Sequence, residues 1–188
     1  MPTRTRFPSL LAIPLLVAAV ACNDPLALPL PSFENALDTV TIHALTGTAL
    51  TLPSGFDIVN GAPARTDRAE PFDFAFDMNG DVALLYPAAA LGVNTDAALQ
   101  LSTLDFAAIT TAPTEGFQRD SAVTISTGTV LIARSRSTNQ ACALLGSLPR
   151  YGKFRILTVD PATRAVTIET LINTNCGYRD LEPGLPEK

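Results

Sequence analysis

The sequence predicts an all-β domain, an antiparallel sandwich or open barrel built from hairpins, with at most one or two short helical turns. Short runs of β-branched and aromatic residues alternate with polar ones, and turn residues separate these runs. No long segment shows the 3.6-residue period of an amphipathic helix. Several short strands at this spacing are typical of sandwiches and barrels, so we expect a single β domain over residues 36–182 and a tail over 183–188.

The N-terminal segment has the layout of a bacterial lipoprotein signal peptide over residues 1–21. Arg4 and Arg6 precede an apolar run at 10–21, and small residues stand directly before Cys22. This run is too short to cross a hydrocarbon core as a helix, which takes about 20 residues. We therefore expect cleavage before Cys22 and a lipid on the new N-terminal cysteine. The alternative is an ordinary secretory signal cut near Ala21.

A proline-rich tether follows over residues 22–35. Its prolines at 25, 29 and 31 favour an extended, semi-rigid spacer. Asn23, not aspartate, follows the cysteine, which favours the outer membrane or cell surface over retention at an inner membrane. The predicted location is the bacterial cell envelope, outside the cytoplasm, with the membrane as a partner through the lipid on Cys22.

The strands are predicted in order along the domain. Residues 39–52 indicate a strand broken near Gly47. The first hairpin pairs 72–78 with 81–86 around Asn79-Gly80, since both central residues of a type I′ turn need positive φ. Its Phe72, Phe74, Phe76 and Met78 alternate onto one face, with Asp73 and Asp77 on the other.

Two further hairpins are predicted. One joins 122–126 to 129–134 around Thr127-Gly128, and the other joins 153–159 to 165–172 through 160–164, where Pro161 suits a type I turn. Residues 88–104 are ambiguous, because 95–99 is compatible with the start of a short helix or with a long loop.

The net charge argues against one class of partner, and the cysteine content predicts a disulfide. Without Arg4 and Arg6 the balance is 11 basic against 18 acidic residues, or −7, which argues against nucleic acid as a partner. With Cys22 lipidated, Cys142 and Cys176 remain for one disulfide in an oxidising compartment. Closing this 35-residue loop is expected to stabilise the fold by about 3.5–4 kcal/mol.

The residues that carry chemistry do not predict an enzyme or a metal site. His43 is the only histidine, and no Gly-x-Ser-x-Gly elbow accompanies it. Asp77 and Asp81 resemble the start of a calcium loop, but its glycine comes too early and Ala88 stands where the final glutamate is required, so a weak surface calcium site is the remaining alternative there. Asp73 and Asp77, about 13 Å apart along one strand, do not suit a glycosidase pair.

Four arginines near the second and third predicted hairpins allow two interpretations. They lie on solvated strand faces, or they form a clamp for an anion or a propionate, since the guanidinium fork matches a carboxylate. The solvated faces are the favoured interpretation. The four residues are Arg134, Arg136, Arg150 and Arg155.

Several segments, taken in order, resemble the HmuY-like haem-binding lipoproteins. They are Phe72-Asp73-Phe74-Ala75-Phe76, the stretch 104–117 that ends in Pro113-Thr114-Glu115-Gly116-Phe117, the run 130–134, and 151–156 with its Tyr151-Gly152-Lys153, followed by 166–169. The resemblance covers most of residues 70–173 and implies a mostly antiparallel β-fold with haem capture. The best-known members of that family hold iron with two axial histidines, and this chain has only His43.

The expected function is non-enzymatic binding of HmuY-like type by a lipid-anchored β-domain. The ligand would be apolar or porphyrin-like, with haem as the candidate cofactor. Phe74, Phe76, Met78 and His43 are the candidate ligand-binding residues, and the first hairpin with residues 88–104 would form the mouth of the pocket. The alternative is an envelope or surface module that binds a protein through edge strands or an acidic face, with no small-molecule ligand.

Overall fold

The computed structural model describes residues 28, 30–68, 70–137 and 148–186. In these residues ten strands form two antiparallel five-stranded sheets, which confirms the all-β prediction. Sheet I has the order β1-β10-β9-β8-β6, and sheet II has the order β3-β2-β4-β5-β7. The strands are β1 Leu37–His43, β2 Gly55–Asp57, β3 Ala62–Ala64, β4 Phe74–Asn79, β5 Val82–Pro87, β6 Ala98–Leu101, β7 Val123–Ile125, β8 Val130–Arg134, β9 Tyr151–Asp160 and β10 Ala165–Asn173.

Helical structure in the described part of the chain is confined to three 3₁₀ turns, one more than the upper limit predicted. The turns are Thr66–Arg68, Ala88–Leu91 and Phe106–Ala108. None of the described helices is long and apolar enough to cross a membrane.

The two sheets pack face to face over one apolar core, as in a β-sandwich. Its centre is a triad of fully buried rings, in which Phe74 stacks on Phe56 at 5.4 Å between centroids and meets Phe154 edge-on at 5.3 Å. Inward residues of both sheets complete the core, among them Ile42, Phe76, Met78, Leu85, Leu99, Leu131, Ile156, Val166 and Ile168.

The first predicted hairpin forms, with its turn one residue later than expected. Asn79 pairs with Val82, so Gly80 and Asp81 are the central residues of the turn. Gly80 has φ +58°, and Gly80 alone of the two has positive φ. A glycine with positive φ at the first central position is typical of a type II′ turn, so the predicted type I′ turn around Asn79-Gly80 is wrong.

The third predicted hairpin also forms and is longer than expected. β9 and β10 pair along their whole length, from Asp160 opposite Ala165 at the turn to Tyr151 opposite Asn173, with an irregularity between Thr167 and Ile168. Asp160 accepts the amide of Ala162 at 2.9 Å, which fixes the turn.

The second predicted hairpin is wrong, although its turn is present. Gly128 has φ +88°, and the amide of Thr129 donates to the carbonyl of Ser126 at 2.9 Å. The flanking strands do not pair with each other, because β7 joins β5 in sheet II and β8 joins β9 and β6 in sheet I. This turn therefore carries the chain from one sheet to the other.

Two other segments differ from the sequence prediction. The strand expected over 39–52 ends at His43, and the amide of Leu45 then donates to the carbonyl of Phe76 in sheet II at 2.9 Å. The ambiguous stretch 88–104 holds a 3₁₀ turn and β6, so residues 98–101 are an edge strand and not a helix or a loop.

The packed domain extends beyond 36–182 at both ends. The amides of Ser32 and Phe33 donate to the side-chain oxygen of Asn175 at 2.8 and 3.2 Å, although the sequence predicts both residues in the tether. Asn35 and Gly184 form a two-hydrogen-bond bridge at 2.7 and 2.9 Å. Residues 32–35 and 184 thus belong to the domain.

A second, smaller core lies on the outer face of sheet I. It consists of buried residues from β8, β9, β10 and the segments 106–112 and 178–181, namely Phe106, Ile109, Ala112, Ile132, Tyr151, Leu171 and Leu181. Lys153 is buried beside it, and its ammonium donates to the carbonyls of Phe106 and Ile109 at 3.0 and 2.8 Å. This lysine holds the 3₁₀ turn at 106–108 against the sheet.

Candidate functional site

The aromatic residues predicted to bind a ligand are packing residues. Phe74 and Phe76 have no exposed surface and Met78 is 5 % exposed, because all three point between the sheets. His43 lies on β1 and faces away from the buried Ile42, so the structure does not bring it together with the other three. In the part of the chain that the structure describes, core side chains of both sheets occupy the space around Phe74, Phe76 and Met78.

The cysteine predictions fall mainly outside the described residues. Cys22 and Cys142 both lie there, so lipidation and the pairing of Cys142 with Cys176 stay predictions. Cys176 lies in the segment that follows β10 and is partly buried.

The carboxylates considered for calcium and for catalysis are engaged in the fold. Asp77 accepts the amide and hydroxyl of Thr46 at 3.2 and 2.8 Å and forms an ion pair with Arg164 at 3.4 Å. Asp73 is 1 % exposed, so its predicted position on the outward face is wrong. Among the described residues, no group of three or more His, Cys, Asp or Glu side chains is placed to hold a metal ion.

Asp73 and Arg136 form the centre of a buried ion-pair cluster. The guanidinium of Arg136 lies 3.1 Å from Asp73 and 2.9 Å from Asp57. The amides of Ile58 and Arg136 each donate to the Asp73 carboxylate at 2.7 Å. Burial raises the pKa of Asp73 to about 6, against the lowering effect of these hydrogen bonds and of the Arg136 charge.

The other three arginines of the predicted cluster also have intramolecular partners. Arg134 donates to the carbonyl of Asp96 at 3.0 Å, and Arg150 donates to the carbonyl of Val59. Arg155 pairs with Glu169 at 2.6 Å. The favoured interpretation as solvated strand faces is therefore wrong for Arg136, whose side chain is 17 % exposed, and the four do not converge as an anion clamp.

A cavity of about 380 Å³ opens beside Arg136. Its lining includes Phe72, Asp96 and Arg136, and Asp96 accepts the amide of Ser137 at 2.8 Å. Burial opposes ionisation of Asp96, but the two hydrogen bonds from Ser137 hold its pKa below the usual value. Arg136 is the only cation in the described lining and is already paired with Asp57 and Asp73, so this cavity offers a ligand little free charge.

A second cavity of about 390 Å³ forms a groove on the outside of sheet I. We call it the outer groove. It runs between the end of β6 and the segment 108–113, and its lining is Gln100, Leu101, Ser102, Thr103, Leu104, Ala108, Ile109, Thr110, Thr111, Ala112, Pro113, Ile132 and Arg179. Leu101 and Leu104 are 53 % and 56 % exposed, so apolar surface lines a concave site that water reaches.

Arg179 supplies the charge of the outer groove. Its Nε donates to the carbonyl of Ala112 at 2.7 Å, and the amide of Ala112 donates back to the carbonyl of Arg179 at 2.7 Å. Among the described residues, no hydrogen bond or ion pair engages the terminal nitrogens of this guanidinium. Arg179 is thus held in place with its outer donors available to an anion.

The sequence reasoning missed the outer groove. Arg179 lies 67 residues from Ala112, and the bridge between Thr111 and Asp180 and the packing of Leu181 in the second core bring the two segments together. The one available signal was the apolar Leu101 and Leu104 in a stretch rich in hydroxyl residues. No protein-family model matches this chain, and no curated protein matches it significantly.

Proposed function

We propose that this chain is a lipid-anchored, non-enzymatic domain of the bacterial cell envelope that binds its ligand in the outer groove. The layout of residues 1–22 supports the anchor. The observation that carries the binding role is the exposed apolar groove with a fixed guanidinium at Arg179. The filled space around Phe74, Phe76 and Met78 argues against a site between the sheets.

The ligand class follows from the groove chemistry. Leu101, Leu104 and Ala108 offer an apolar wall, and Arg179 offers paired donors to a carboxylate or phosphate. We therefore propose an elongated apolar molecule that carries an anionic group. A porphyrin with propionates has this character, which agrees with the resemblance to HmuY-like proteins.

Iron coordination by histidine is not part of the proposal. His43, the only histidine of the chain, lies on β1, at the edge of sheet I opposite to β6. Five strands at about 4.8 Å spacing place the two edges about 19 Å apart. Haemin would therefore bind in the outer groove through its apolar ring and its propionates.

A titration with cis-parinaric acid, a fluorescent fatty acid, tests the proposal on residues 23–188, which contain both sheets. We expect saturable binding of the acid, weaker binding of its methyl ester, and a loss of about tenfold or more in affinity for the acid in Arg179→Gln, since a charge-assisted hydrogen bond contributes about 1.5–3 kcal/mol. Leu104→Gln should weaken both ligands. Leu50→Gln, at another side chain exposed by 72 %, is the matched control.

A haemin titration separates this proposal from iron ligation. Saturable absorbance change that survives His43→Ala and is lost in Arg179→Gln would support the outer groove. A change lost in His43→Ala alone would contradict it, and so would the absence of saturable binding by both haemin and the fatty acid. That last result would favour the protein-interaction module.

A further inference from the structure

Exposed apolar side chains cluster at the end of the sandwich where the N-terminal segment joins the domain. Leu30, Phe33, Leu37 and Leu185 are 72 %, 61 %, 55 % and 55 % exposed. We call these four the basal cluster. They lie on two chain segments that the bridge between Asn35 and Gly184 holds together, and this concentration of exposed apolar residues is unusual for a surface in water.

The basal cluster belongs to the folded domain and not to a free tether. Asn175 accepts the amide of Phe33 at 3.2 Å and donates to its carbonyl at 2.8 Å, so the backbone at Phe33 is fixed from both sides. Leu37 is the first residue of β1 and pairs with Leu171 of β10. The side chains of Phe33 and Leu37 are therefore presented on a rigid support.

The number of residues between Cys22 and the basal cluster limits how far this cluster can lie from a membrane that holds the lipid. Cys22 precedes Leu30 by eight residues. A fully extended chain of that length spans at most about 26–29 Å, and a polyproline-like one about 25 Å. A lipid on Cys22 would thus keep the basal cluster within this distance of the bilayer, at the end of the domain that faces it.

We propose that the basal cluster rests in the interfacial layer of the membrane that holds the lipid. This inference depends on the lipidation of Cys22 in the proposed function. The carboxylates of Glu34, Asp38 and Glu182 flank the cluster and are exposed, so an anionic surface would repel it. The partner is therefore a zwitterionic bilayer surface, and the contact fixes the orientation of the domain and leaves the opposite end directed away from the membrane.

The chain contains no tryptophan, which provides a direct test. A single reporter is introduced by Phe33→Trp in the lipidated mature protein, reconstituted in phosphatidylcholine vesicles with brominated acyl chains. The matched control is Val82→Trp, at a side chain 48 % exposed beside the β4–β5 turn. Arg164, just before β10, donates to the carbonyl of Met78, so this turn lies near Ala165, about 20 Å along β10 from Leu171.

We expect bromine to quench most of the emission of the Phe33→Trp protein and little of that of the Val82→Trp protein. Replacing half of the lipid by phosphatidylglycerol at low salt should reduce the quenching at position 33. Equal quenching of the two reporters, or none at either, overturns the basal contact and leaves the anchor standing, provided that mass spectrometry finds lipid on Cys22. Absence of lipid on Cys22 overturns both the contact and the anchor.

Discussion

The guanidinium of Arg136 lies 3.1 Å from the carboxylate of Asp73, and this contact connects the two sheets of the sandwich. Asp73 directly precedes β4 of sheet II, and Arg136 follows β8 of sheet I by two residues. The amide of Arg136 also donates to Asp73 at 2.7 Å, so backbone and side chain hold the same carboxylate. Arg136 thereby fixes one end of the sandwich, next to the ring triad of Phe56, Phe74 and Phe154.

Removal of Arg136 is expected to destabilise the domain strongly. Arg136→Met leaves Asp73, 1 % exposed, and Asp57, 5 % exposed, as buried carboxylates without the guanidinium of Arg136. Breaking a buried pair on one side costs about 3–5 kcal/mol. Urea unfolding at pH 7.5 measures the change in free energy.

The matched control for this prediction is Arg155→Met. Arg155 is 44 % exposed in its pair with Glu169, and an exposed pair contributes about 0–1 kcal/mol. If the two substitutions cost the same free energy, the buried cluster is not a special determinant of stability.

The loss of unfolding free energy caused by Asp73→Asn should become smaller as the pH rises from 4 to 7. Burial raises the pKa of Asp73 in the folded protein to about 6, above its ordinary value of 3.8, so the unfolded chain loses this proton at lower pH. Ionisation therefore removes up to about 3 kcal/mol of wild-type stability over this range, and asparagine cannot ionise. Urea unfolding of both proteins across the range measures the difference. A cost that grows with pH would show that attraction to Arg136 outweighs the burial of the charge.

The short-range features of the fold could be predicted from the sequence. Glycine at 80 and 128 identified two real turns, because positive φ is a local requirement. Whether the strands beside a turn pair with each other is decided by distant partners. The segments around Gly80 form a hairpin, and those around Gly128 cross between sheets with the same kind of turn residues.

The sites were harder to predict for the same reason. Strand alternation placed Asp73 outward, but its partner Arg136 lies 63 residues later and makes burial of the carboxylate tolerable. Arg179 gains its position from a bridge to residues 110–112 that no local pattern indicates. Alternation did identify Phe74, Phe76 and Met78 as apolar and inward, and the opposite sheet packs against them.

Lys153→Met is expected to loosen the segment that covers sheet I. The substitution keeps the apolar stem but leaves the carbonyls of Phe106 and Ile109 without their donor. An unsatisfied buried acceptor costs about 1–3 kcal/mol. Hydrogen exchange should show faster exchange at residues 106–112, together with a lower free energy of unfolding.

Arg155→Met also serves as the control for Lys153. Both cations lie over the ring of Phe106, with Lys153 Nζ 4.7 Å and the Arg155 guanidinium carbon 5.3 Å from its centroid. Arg155→Met therefore loses one cation contact with the Phe106 ring and keeps the two hydrogen bonds from Lys153 to the carbonyls of Phe106 and Ile109. Unchanged exchange at 106–112 in Lys153→Met would mean that apolar packing alone holds this segment.

The predicted disulfide between Cys142 and Cys176 agrees with a backbone contact close to Cys176. The amide of Gly177, next to Cys176, donates to the carbonyl of Pro149 at 3.2 Å, so the chain seven residues after Cys142 lies against the loop of Cys176. We expect mass spectrometry without reduction to find peptides of Cys142 and Cys176 linked. The double change Cys142→Ser and Cys176→Ser should lower the free energy of unfolding by about 3.5–4 kcal/mol, because the open chain gains loop entropy when unfolded. Cys22→Ser should leave it unchanged, and labelling of Cys142 and Cys176 by a thiol reagent in the native protein would refute the pairing.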